Sequence, residues 1–280
     1  MILIQLRPCN IILLICFFTL LHFNSAYTQA AFEPVGADIG GMARTSVAVK
    51  NVWAAFNNPA NLSDIENIVA AVNYENRFLV REMGISSITA VLPTGYGVFG
   101  LAFNQFGSNL YSQSFVGLAY GRDFGERLRA GVRLNALHTR LSEDYGSRTD
   151  VSFAAGFNVN LTKELTIAAI LANPLHKIMA KDTDEYLPAI YRLGLHYKIE
   201  KNLFITAEAE KDMRYKPSVR TGIEYRIKEF AAVRAGISTN PLNHAFGFGF
   251  NFGSFTFDIS AVRHEVLGYS PQASLIWIAK

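Results

Sequence analysis

The chain has 280 residues, half of them hydrophobic, yet no run of about 18 apolar residues follows the first 30, which excludes a transmembrane helix there. Its 26 basic and 23 acidic side chains give a formal net charge of +3, too even to mark a nucleic-acid partner or an acidic one. Both cysteines, Cys9 and Cys16, fall in the first 30 residues, so no disulfide framework supports the remainder.

Residues 1–30 read as an export signal. Arg7 supplies a positive start, residues 11–23 form an apolar stretch too short to span a bilayer, and Thr28-Gln29-Ala30 places cleavage after Ala30. Residues 31–66 do not alternate. Gly36 to Val49 is rich in glycine and small side chains, and Val52, Trp53, Phe56 and Pro59 share one face of a short helix that Pro59 ends. No Gly-Lys-Ser/Thr follows, which rules out a phosphate loop, and the segment reads as a packed plug or cap.

From residue 67 to 280 the chain alternates apolar and polar side chains in about fourteen segments: 67–79, 84–94, 97–108, 110–124, 127–142, 147–161, 165–179, 186–200, 202–215, 218–229, 230–241, 244–254, 255–268 and 270–280. Strand side chains point to opposite faces with period two, so Phe246, Phe248, Phe250 and Phe252 form one face and Gly247, Gly249 and Asn251 the other. A soluble sandwich buries such a row against a second sheet, whereas a membrane barrel turns it toward lipid. Segment length favours the barrel, since soluble strands run about 5–6 residues and a tilted membrane strand needs about 9–11. Short connections (94–97, 123–126, 160–164, 198–202, 226–229, 252–254) alternate with longer ones such as 142–148 and 174–187. That is the pattern of short periplasmic turns and longer outer loops. Aromatic residues gather near segment ends, as interfacial girdles do, from Tyr96, Phe106 and Tyr111 to Tyr269 and Trp277.

The glycine-rich run followed by Phe56-Asn57-Asn58-Pro59-Ala60 and some fourteen strands resembles the FadL-like outer-membrane barrels, and among them is most similar to the PorV/PorQ group associated with type IX secretion. The resemblance implies an N-terminal segment folded into the lumen as a hatch, held by Trp53, Phe56, Asn57, Asn58 and Pro59. The chain is short for either group, which implies small external loops. It ends Trp277-Ile278-Ala279-Lys280 and not on an aromatic, leaving Trp277 as the insertion signal.

No enzyme constellation stands out. His138, His176, His196, His244 and His264 lack metal-ligand spacing, no Gly-x-Ser-x-Gly occurs, and neither cofactor nor metal is implied. The polar phase of the strands is charged: Arg127, Arg129, Arg133, Arg192, Glu208, Glu210, Arg220, Glu224, Arg234 and Asp258. Such a row serves as a polar channel, as an ionic latch on the plug, or as a salt-bridge network filling the lumen, the last being favoured. Unpaired buried charge is costly, so Arg129, Arg133, Arg220 and Arg234 are expected to meet Glu208, Glu224, Asp258 or plug carbonyls. A lumen so furnished offers little apolar surface.

The sequence therefore predicts an all-β, antiparallel, up-and-down transmembrane barrel of about fourteen strands (67–280) with a lumenal plug (31–66) behind a signal peptide (1–30), located in a bacterial outer membrane. The favoured function is a non-enzymatic PorV/PorQ-like accessory of protein secretion or surface attachment, with membrane lipid around it and secretion-machinery or cargo proteins as partners. The alternative is a FadL-like transporter of small hydrophobic compounds.

Overall fold

The computed structural model describes residues 32–142, 146–174, 178–180, 185–213 and 215–279. The signal reading of residues 1–30, His176, and parts of the 142–148 and 174–187 connections lie outside them.

Fourteen strands close into an antiparallel barrel, each paired with its chain neighbour and the last with the first. They are β1 (Val69–Asn76), β2 (Gly84–Thr94), β3 (Gly97–Gly107), β4 (Tyr111–Phe124), β5 (Leu128–Leu141), β6 (Ser147–Asn160), β7 (Leu165–Ala172), β10 (Ile190–Glu200), β11 (Leu203–Asp212), β12 (Ser218–Ile227), β13 (Ala231–Ser238), β14 (Asn243–Phe252), β15 (Phe255–His264) and β16 (Gly268–Ile278). A two-stranded ribbon, β8 (Ile178–Ala180) and β9 (Glu185–Tyr186), stands between β7 and β10 outside the barrel sheet. Among the described residues no helix is long and apolar enough to cross a membrane.

Alternation sets the two faces. On β14, Phe246 and Phe248 point outward while Gly247 and Gly249 are buried in the lumen. On β5, Val132 and Leu134 are exposed, whereas Gly131, Arg133 and Asn135 are buried. The exposed large side chains thus form an apolar outer wall, the arrangement that lipid requires of a barrel. All the turns at one end are short. At the other, which we term the loop end, the connections are of mixed length and include 77–83 and the ribbon-bearing 173–189.

Three boundaries differ from the alternation pattern for local reasons. Residues 77–79 form a 3-10 turn and not the end of β1, with Phe78 and Leu79 at φ 56 and 58. The predicted 165–179 strand stops at Ala172, where Asn173 at φ 51 turns the chain out of the wall; asparagine tolerates that left-handed region better than most residues. Arg127 lies exposed before β5 and not on the strand, in the 125–127 turn that Gly125 makes at φ 77; its carbonyl accepts the Asn160 N–H of β6 at 2.9 Å.

The N-terminal segment lies inside the barrel. It contains α1 (Ala37–Gly40), α2 (Ala54–Asn57) and a 3-10 helix (Pro59–Asp64). The 3-10 helix packs on β3 to β6, and α1 on β14 to β16 on the far side of the lumen.

Candidate functional site

Asparagine side chains knit the lumenal segment together. Asn57 accepts from the Val35 N–H and donates to the Val35 carbonyl, both at 2.9 Å, pairing like a short strand. Asn58 donates to the Val47 carbonyl at 2.8 Å, and its Oδ1 accepts the Ala60 N–H at 3.1 Å, capping the 3-10 helix that Pro59 begins. The capping explains the Asn-Pro order: proline cannot donate at the first helical position, where no donor is needed. Asn61, which the sequence reading passed over, donates to the carbonyls of Val47 and Val49 at 3.1 Å each and accepts from Asn158 of β6 at 2.6 Å. Trp53 is fully buried, with Phe56 at 6.3 Å between ring centroids.

The wall is cut to receive this segment. A Cβ on Gly131 would stand 2.3 Å from the Pro59 carbonyl carbon, and one on Gly156 would stand 1.9 Å from Asn58 Oδ1. Only glycine lets β5 and β6 come this close to the Asn58-Pro59 backbone.

Most of the lumenal charges are paired, and the pairs on β10–β15 form two strips. In the first, Glu208 on β11 and Arg220 on β12 are register partners 3.6 Å apart, and Arg192 on β10 stands 3.7 Å from Glu208. Both arginines come closer to Glu210, at 2.5 and 2.6 Å. Glu208 also accepts the N–H groups of Ser46 and Val47 at 2.7 and 2.8 Å. In the second, Arg234 on β13 bridges its register partner Glu224 and Asp258 on β15, each at 2.6 Å. Arg129 pairs with Asp64 of the segment (2.9 Å) and with Asp123 (3.1 Å), partners not expected from sequence. Arg133 has no carboxylate partner: it donates to the Ala55 carbonyl at 2.8 Å, to the Phe56 carbonyl, and to Asn135, and its guanidinium lies 5.3 Å from the Phe115 ring centre. Sequence reasoning also missed Arg44, which meets Glu75 of β1 at 2.5 Å, and Arg77, which meets it at 3.1 Å.

The expectation of a lumen with little apolar surface is corrected. Its β3–β7 side is lined by Val98, Ala102, Phe115, Leu137 and Ile170, all buried against Trp53, Phe56 and Leu62 in one cluster. Phe115 stacks on Phe56 at 6.1 Å. The miss has a definite origin: β4 and β7 carry apolar residues on both faces, so alternation did not mark their lumenal phase. The lumen is therefore uneven: the larger apolar side chains gather on β3–β7, where Arg129 and Arg133 are the lumenal charges of β5, and the two ionic strips run from β10 to β15.

No protein-family model matches the chain, and no curated protein matches it in sequence. In fold it is similar to the Ralstonia pickettii toluene transporter TbuX (TM-score 0.68, 11% identity, 88% of this chain and 97% of that one). It is likewise similar to the monoaromatic hydrocarbon channel CymD (TM-score 0.64, 12% identity, 88% and 96%) and to a Pseudomonas aeruginosa FadL homologue (TM-score 0.63, 13% identity, 89% and 98%). These are transporters and channels, not enzymes, and they carry the FadL-like part of the resemblance but not its PorV/PorQ-specific part. The chain has the closed fourteen-stranded antiparallel barrel of the FadL-like proteins.

Proposed function

We propose that the chain is an outer-membrane barrel that passes small hydrophobic compounds, with residues 32–64 as its plug. The observation that carries this reading is the apolar half of the lumen. Trp53, Phe56 and Leu62 cover Val98, Phe115, Leu137 and Ile170, so a shift of the plug uncovers an apolar lining of the kind that hydrophobic ligands need. The first charged strip holds the plug by its backbone on the opposite wall, and the lining itself carries one guanidinium, Arg133, which lies over Phe115 and is spent on the Ala55 and Phe56 carbonyls. Two further observations agree. The outer wall is apolar and carries a recess of about 560 Å3 between Tyr74, Phe246, Phe248 and Ile259. The neighbours in fold include a toluene transporter and a monoaromatic hydrocarbon channel.

The test is uptake of labelled toluene by cells with and without the barrel, alongside Leu137→Arg, which places a charge on the apolar lining. Faster uptake with the barrel, lost in Leu137→Arg, supports the reading; equal uptake with and without the barrel sinks it.

A second reading, a PorV/PorQ-like accessory that holds secretion-machinery or cargo proteins, is favoured by one observation. Leu79, Val80, Leu110 and Val266 are exposed on the connections at the loop end, where a partner protein can reach them. Recovery of one stoichiometric protein with the tagged barrel from mildly solubilised outer membranes, lost when Leu79 and Val266 become serine, supports it.

A further inference from the structure

Over the Ala43-Arg44 turn, at the loop end of the lumen, lies a cavity of about 90 Å3, room for roughly three waters at ~30 Å3 each. Arg44, Arg77 and Arg220 line it, against Glu33 and Glu75, with His264 at its rim. Glu75 is taken up twice, by Arg44 at 2.5 Å and by Arg77 at 3.1 Å, and Arg220 is engaged by Glu210 at 2.6 Å. Glu33 is held loosely: its carboxylate reaches Arg44 Nε only at 4.0 Å, beyond hydrogen-bond distance. Arg77 is 3% exposed, and its Nη1 has no hydrogen-bond partner among the described residues. A buried guanidinium N–H without an acceptor is costly, so the cavity has a charged donor in want of an oxygen.

We propose that this cavity is an anion site sized for one carboxylate or phosphate group, and that Glu33 is its resident occupant, exchanged for an incoming anion. Burial opposes ionisation of Glu33, but the Arg44, Arg220, Arg77 and Arg192 guanidiniums outweigh it and hold its carboxyl at about 2. The cavity thus favours negative charge even with Glu75 in place. Exchange is coupled to the plug through the residues on either side of Glu33. The Phe32 carbonyl accepts from Arg192 at 2.8 Å and the Pro34 carbonyl from Arg44 at 3.2 Å, so expelling Glu33 pulls on the start of the lumenal segment. The inference goes beyond the transport reading, because binding to the isolated barrel is measured without any transport.

The experiment titrates the purified, folded barrel by calorimetry with acetate, inorganic phosphate and benzoate in turn. Glu33→Gln, which removes the competing carboxylate, is expected to bind at least tenfold more tightly than wild type, and Arg77→Gln at least tenfold more weakly. Arg81→Gln, on an exposed arginine outside the cavity, serves as the control and leaves affinity unchanged. Binding of acetate and phosphate assigns a free anion; binding of benzoate alone assigns the anionic head of an apolar molecule. Failure of every anion to bind Glu33→Gln, or equal affinity in wild type and Glu33→Gln, overturns the proposal. Because Glu33→Gln keeps the side-chain volume and leaves the Phe32 and Pro34 carbonyl contacts in place, the test does not depend on whether Arg77→Gln folds.

Discussion

The Glu208 carboxylate on β11 accepts the backbone N–H of Val47 at 2.8 Å, tying the charged wall to the middle of the lumenal segment. The neighbouring Ser46 N–H joins it at 2.7 Å, so one buried carboxylate holds two consecutive amides, while Arg192 and Arg220 balance its charge from either side. Removing it leaves two buried amides without an acceptor and two guanidiniums sharing the single carboxylate of Glu210. Glu208→Ala is expected to destabilise the folded barrel by about 3–5 kcal/mol, the usual cost of breaking a buried ionic pair, and to raise ion conductance as the segment loosens. Urea unfolding in detergent and planar-bilayer recordings test the two effects; unchanged midpoint and conductance would remove Glu208 from the plug contact.

A steric prediction separates plug seating from barrel formation. In Gly156→Ala the new methyl collides with Asn58 Oδ1 at 1.9 Å, while the outward side chains of β6 are untouched. The barrel should still insert and show its folded gel mobility, but the segment before β1 should become sensitive to protease. Equal protection in wild type and variant would show that the segment is anchored elsewhere.

The outer wall can be tested by depth. Phe248 points outward from the middle of β14, and a charge there costs about 2–4 kcal/mol if the wall faces the bilayer midplane. Phe248→Arg should lower the folded yield in lipid vesicles sharply, whereas Tyr96→Arg, in the exposed turn at one end of the barrel, should not. Full stability of Phe248→Arg in vesicles would argue against a lipid-facing wall.

Asp38 predicts a pH dependence. Burial pushes its carboxyl up, Asp258 adds to the rise, and Arg234 and the Asn51 hydrogen bond only partly oppose it, leaving the group at about 6. The ordinary aspartate value is near 3.9, so between about 4 and 6 the folded state holds more protons than the unfolded one. Stability from this group accordingly rises as pH falls from 7 toward 4 and is lost as pH climbs through 6. The span corresponds to at most about 3 kcal/mol. Asp38→Asn should be more stable than wild type at pH 7 and equal to it near pH 4. A difference that does not shrink toward low pH would contradict the assignment.

The barrel was legible because lipid-facing strands alternate strictly: the Val132/Leu134 row against Arg133/Asn135, and the Phe row of β14, define faces that the fold keeps. That Glu208, Arg220, Glu224 and Arg234 could pair across strands was also legible from their common phase, and the register of the structure makes partners of Glu208 with Arg220 and Glu224 with Arg234. The lumenal contacts were less accessible. Val35 and Asn57, or Glu75 and Arg44, are joined by a chain path with no periodicity, and side-chain bonds to irregular backbone leave no repeating mark. The apolar lumenal face was hidden for the opposite reason: on β7, Ala168, Ile170 and Ala172 look inward from a strand whose outward residues are equally apolar.

The pairing of β16 with β1 fixes an order of assembly. The Ala37 N–H at the start of α1 donates to Ser274 Oγ at 2.9 Å, across 237 positions of chain, and Val69 lies opposite Ile278 where the wall shuts. The lumenal segment is synthesised first, yet one of its two seats does not exist until the final strand is placed. It can therefore take that seat only when the sheet is complete, either as the wall curls shut around it or by entering through an end of the closed barrel. Contacts of such long range form slowly, and once the ring has shut, the enclosed segment leaves only by an end of the barrel or by reopening that seam.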